Sequence, residues 1–161
     1  MKVTRISPEK LALHLGRSET HLFLGVLSLY PRVPSAHQPL SKSSDLPDQE
    51  SSQRLLDEAL AEQRAENQSR WALLLADPSR FLQDETGCRL LLTEGDLEWL
   101  LQILNDIRVG SWLALGAPEK APKVRNSAAA RDVWAMEMSG YFQMQLLAAL
   151  EGGTNAGADL G

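Results

Sequence analysis

A single cysteine, Cys88, leaves the chain no internal disulfide framework and no cysteine-based zinc site. Histidine is nearly as scarce. His14, His21 and His37 fall on different segments, so no metal centre is expected. There is no G-x-S-x-G elbow and no glycine-rich phosphate loop, and no cofactor motif of another kind. The longest apolar stretch, HLFLGVLSLY at 21–30, is shorter than the roughly 20 residues a bilayer span needs. The start, MKVTRISPEKLALHLG, lacks the continuous apolar core of a signal peptide. An excess of positive charge is missing too. The 16 Lys and Arg against 21 Asp and Glu give a net charge of -5, which works against a general nucleic-acid surface. The basic run KAPKVR at 120–125 reads as a solvated loop. Together these absences lead us to expect a cytoplasmic protein with no membrane or nucleic-acid partner and no evident catalytic set.

What is present fits one globular domain. The 161 residues are 43% apolar and 23% charged, enough to build a core. The expected fold is mainly α, a small four-helix assembly with a short N-terminal β-hairpin. The hairpin is KVTRIS and KLALHL around Pro8-Glu9, with Leu11, Leu13 and Leu15 on one side at the period of two of a half-buried strand. Ser18 is expected to cap a first helix ending near Tyr30, before Pro31 and Pro34. Residues 31–47 hold four prolines and four serines and read as a flexible connector inside a single domain spanning 1–151. A second helix is expected over 48–76, exposed or broken where AEQRAENQSR at 61–70 is polar nearly all round. Residues 79–92 are less defined, with RLLLT extended. Thr93 and Asp96 make a capping-box spacing for a third helix ending near Gly116, and a fourth covers 126–150. Residues 152–161 read as a disordered tail.

Polar residues interrupt the third helix. At about 100° per residue, Leu97, Leu100, Leu101, Leu104, Ile107, Ser111, Trp112 and Leu115 gather on one side, with Arg108 near their middle. Asn105 lies at the border, and Asp106 points nearly opposite, beside Trp99 and Gly110. Asp106 is expected to bond the backbone of a neighbouring loop. The fourth helix collects Ala130, Val133, Trp134, Tyr141, Met144, Leu147 and Ala148 around Glu137. A buried Arg108–Glu137 pair locking the two helices would explain both charges, since burying either one alone costs several kcal/mol. A polar pocket holding a ligand carboxylate or a catalytic acid is the alternative for the same residues. Cys88 reads as a small buried residue, and Met136, Met138 and Met144 as core filling. Trp99, on the less buried side of its helix, is the candidate contact with another protein chain.

LLQILNDIRVGSWLALG at 100–116 and DVWAMEMSGYFQMQLL at 132–147 resemble a bacterial family of unknown function. In actinobacteria its genes often neighbour that of the Clp protease adaptor ClpS. Leu104-Asn105-Asp106-Ile107-Arg108 is similar to that family's Leu-Asn-Asp-[Val/Ile/Leu]-Arg helix, and the second segment to its Trp-containing final helix. The family's usual Gly-Thr-Arg after the motif is Gly-Ser-Trp here. The resemblance implies a predominantly helical fold and, through the gene neighbourhood, a link to proteolysis or its regulation. The function expected from the sequence is therefore a non-enzymatic interaction or regulatory domain of the bacterial cytoplasm, with self-association as a homodimer one form of it.

Overall fold

The structure, a computed structural model, describes residues 1–34 and 48–155. The chain begins with two strands, β1 (Lys2–Ser7) and β2 (Lys10–Gly16), joined by the expected turn at Pro8-Glu9. Helix α1 (Arg17–Leu27) follows directly. Its N-cap is Gly16 rather than Ser18, and the Glu19 carboxylate reaches back to accept from the Gly16 N–H at 3.0 Å. Helix α2 (Gln49–Ala76) is capped by Asp48, whose side chain accepts from the Ser51 N–H. Next come β3 (Phe81–Asp84), β4 (Gly87–Thr93) and α3 (Glu94–Ala114). The last helix, α4 (Ser127–Asn155), runs into the stretch expected as a tail, of which 156–161 lie outside the described residues. The connector expected at 31–47 is described only over 31–34.

The fold is not a helical assembly with a terminal hairpin. The four strands form one antiparallel sheet in the order β1-β2-β4-β3, so a second hairpin from the middle of the chain docks beside the first. Leu11, Leu13 and Leu15 pair with Leu92, Leu90 and Cys88 across β2 and β4, and this row is the sheet's contribution to the core. The mid-chain hairpin hides in the sequence for two reasons. Leu90, Leu91 and Leu92 are contiguous, so β4 shows no alternation. Its turn is also unusual, because one Asp84 carboxylate oxygen accepts from the Thr86 N–H, the Thr86 hydroxyl and the Gly87 N–H. Gly87 sits at φ 150°, where a Cβ would lie 1.9 Å from the Leu15 carbonyl oxygen. Only glycine lets β2 and β4 close at that end.

Helices α1 and α3 cover the inward face of the sheet, and α4 packs against both of them. Phe23, Val26, Leu97, Leu100, Leu104, Ile107, Phe142 and Leu146 complete the core. An aromatic chain ties the helices together: Phe142 to Phe23 at 5.0 Å, Phe23 to Trp71 at 6.3 Å, and Trp71 to Trp99 at 6.3 Å. The long helix α2 is unbroken through its polar middle, about 42 Å end to end. Leu74 is its one buried residue, so side-chain polar contacts carry much of its docking. Asn67 donates to the Tyr30 hydroxyl at 2.9 Å and accepts from the Trp99 indole N–H at 3.1 Å. The Arg64 guanidinium donates to the Val33 carbonyl.

Candidate functional site

The residues singled out in the third helix separate in space. Trp99 is 5% exposed. Its indole N–H is held by Asn67, and the Arg70 guanidinium lies 4.3 Å from the ring centre. It is a core residue, not the surface contact expected. Asp106 is half-buried and accepts from the backbone N–H groups of Arg32 at 2.6 Å and Val33 at 3.2 Å. One turn on, Gly110 makes room for the same loop, since a Cβ there would come within 2.4 Å of the Arg32 carbonyl carbon. Arg32 in turn pairs with Asp132 on α4. Asp106, Gly110 and Asp132 therefore form a seat for the segment that follows α1. Asn105 is exposed, and its side chain makes no hydrogen bond among the described residues.

Arg108 and Glu137 do not form the expected buried pair. Both are exposed, and no ion pair joins them. The cause is the width of the buried arc on α3. Leu101, Trp112 and Leu115 drew the inferred core face towards Arg108, but they are half-buried or exposed. Trp99 and Gly110, expected on the outward side, are buried, the first against Asn67 of α2 and the second beneath Arg32. The true centre lies near Ile107, about 100° away from Arg108.

The same inversion on α4 is complete, and it exposes the best candidate site. The buried residues are Asp132, Ala135, Ser139, Phe142 and Leu146, spaced alternately by three and four. Small side chains at Ala135 and Ser139 face a helix whose buried arc includes Gly110 and Ser111, so α3 and α4 pack tightly through residues of little apolar weight. The larger apolar residues stand outside. Ala130, Trp134, Glu137, Tyr141, Met144 and Ala148 repeat the same four–three spacing on the opposite side. Trp134 is partly covered where it abuts Gly25 of α1. Met144 is 72% exposed, Leu147 47% and Tyr141 39%, with the Tyr141 side chain hydrogen-bonded to Glu19 of α1; Trp112 of α3 is also 39% exposed. Helix α4 thus carries two heptad-like seams back to back, one packed and one open. Arg108 belongs to the open side, its aliphatic stem 3.9 Å from where a Gly140 Cβ would stand.

A second polar cluster, unforeseen in the sequence beyond its capping box, centres on the buried carboxylate of Asp96. It accepts from Arg70 and Arg80 at 2.6 Å each and from the Thr93 N–H at 2.9 Å. Burial raises the carboxyl's pKa, but the Thr93 and arginine contacts outweigh it and hold the group below the ordinary value. Two arginines on one acid join α2, the turn before β3 and the start of α3. Both oxygens of the buried carboxylate are engaged within the chain, which marks the cluster as a structural clasp. Burial pushes the Cys88 thiol up, so it is a poor nucleophile.

Among the described residues no group of His, Cys, Asp and Glu could hold a metal ion, and no helix is long and apolar enough to cross a membrane. The concavities that flank the domain include one of about 840 Å³ beside Glu66, Arg70 and Arg80, one of about 560 Å³ under Lys120, Lys123 and Arg125, and one of about 150 Å³ between Tyr30, Trp71 and Ile103. None is lined by Arg108 or Glu137. No family model, curated protein or solved structure matches the chain.

Proposed function

We propose that the protein is a non-enzymatic interaction module that self-associates through the outer seam of α4. The observation that carries this reading is the second apolar seam, left open on an otherwise well-packed helix. A surface helix ordinarily presents one apolar stripe, and apolar spacing on both sides belongs to a helix covered on both sides. A second copy of the chain suits this seam better than an unlike partner. A two-fold interface needs a patch complementary to itself, and this one carries an unpaired cation, Arg108, and an unpaired anion, Glu137, amid Trp112, Tyr141, Met144 and Leu147. Two α4 helices crossing antiparallel near Gly140 would bring each Arg108 towards the partner copy's carboxylate at the same place in the seam.

The alternative reading is a ligand or catalytic pocket around Arg108 and Glu137, and among the described residues none of the concavities described above is lined by either. The setting we propose is the bacterial cytoplasm, in a regulatory role, on the resemblance of residues 100–116 to the family encoded beside ClpS. Sedimentation velocity tests the reading directly. The wild-type chain at about 100 µM should sediment as a dimer, and Met144→Glu, at a side chain with few internal contacts, as a folded monomer. A wild-type monomer at that concentration overturns the proposal.

A further inference from the structure

The geometry points to an anion site on the open face of the sheet, where Lys2, His14 and Arg89 would bind the phosphate group of a small phosphorylated molecule. Strand register brings the three together. Lys2 stands opposite His14 across β1 and β2, and His14 opposite Arg89 across β2 and β4. Directly opposed residues on neighbouring strands share a face, so three basic side chains form one row at steps of about 4.8 Å. The row lies in a concavity of about 560 Å³ that also takes in Leu82, Asp84, Thr86 and Gly87.

All three residues are exposed, and none of their side chains makes a hydrogen bond or ion pair among the described residues. The acids nearby are already engaged. Asp84 is turned into the β3–β4 turn by Thr86 and Gly87, and Glu19 holds the N-terminal ammonium and the Gly16 N–H. Lys2 and Arg89 stand on either side of His14, and an anion set over the row is attracted by both cations. A phosphate offers three terminal oxygens to three donors on adjacent strands, one more than a carboxylate. The row is only three residues long, and Asp84 lies in the same concavity. That length fits one phosphate and its substituent, not a nucleic-acid backbone, which requires an extended basic track.

Titration of 15N-labelled protein with inorganic phosphate, and separately with glucose 6-phosphate, at constant ionic strength tests the site. The expected result is saturable shifts confined to amides around Lys2, His14, Arg89 and Gly87, weakened about tenfold in Arg89→Gln and unchanged in Lys123→Gln. Tighter binding of the sugar phosphate marks a metabolite as the source, equal binding a free phosphate. Shifts that do not saturate, that spread equally over the 120–125 loop, or that survive Arg89→Gln overturn the proposal. The solvent-facing positions of these side chains keep each variant folded, which its amide spectrum shows independently.

Discussion

Removing the Asp106 carboxylate takes away the acceptor of two backbone N–H groups, those of Arg32 and Val33. Asp106→Ala should lower the unfolding free energy by about 1–3 kcal/mol in urea denaturation. Arg108→Ala, two residues on but solvent-facing, should change the unfolding of the monomer by less than about 0.5 kcal/mol. Equal losses from both would show that the seat at 31–33 is wrongly assigned. Asp96 makes a prediction in pH. Its folded pKa lies below the ordinary 3.8, so its charge stabilises the fold fully above that value. The contribution fades as pH falls through the lower folded value. Asp96→Asn should therefore cost about 2 kcal/mol at neutral pH, discounted because both arginines are partly exposed. The difference from wild type should shrink below pH ~4. A difference that grows on acidification would reverse the assigned sign.

Among the elements, α2 is the one joined to the body by few but specific side chains. Trp71 meets both Phe23 and Trp99, so Trp71→Ala should destabilise by about 3–5 kcal/mol. Leu55→Glu, at a site 66% exposed, should leave the melting temperature within about 2 °C of wild type. The helices could be read from the sequence with small boundary errors, because caps such as Thr93 with Asp96 and breaks such as Pro31 are local signals, although α1 is capped at Gly16 and not at Ser18. The first hairpin could be read for the same reason: Leu11, Leu13 and Leu15 alternate. The second could not, since Leu90-Leu91-Leu92 carries no period. Faces were harder than elements. On α4 the buried side is made of Ala135 and Ser139 between Asp132 and Phe142, while the heavier residues are outside. Ranking by hydrophobicity therefore picks the wrong side. The same ranking sets Arg108 and Glu137 against each other as a buried pair, whereas both face solvent and no ion pair joins them.

For the whole molecule, the packed seam of α4 completes the domain and the open seam leaves it unfinished as a monomer surface. Its net charge of -5 adds repulsion between copies, so opposite charges within the patch matter for choosing a self-complementary arrangement. Such a contact also distinguishes pairing between chains from pairing within one. Arg108→Glu alone should oppose two acids at the interface, and Glu137→Arg alone two cations, each weakening dimerisation about tenfold or more. The most direct test is to mix these two variants in equal amounts and follow sedimentation equilibrium. In the mixed dimer each contact regains opposite charges, so the account predicts association at least tenfold tighter than either variant shows alone. A mixture that stays as dissociated as its components, or single variants that dimerise like wild type, would contradict it.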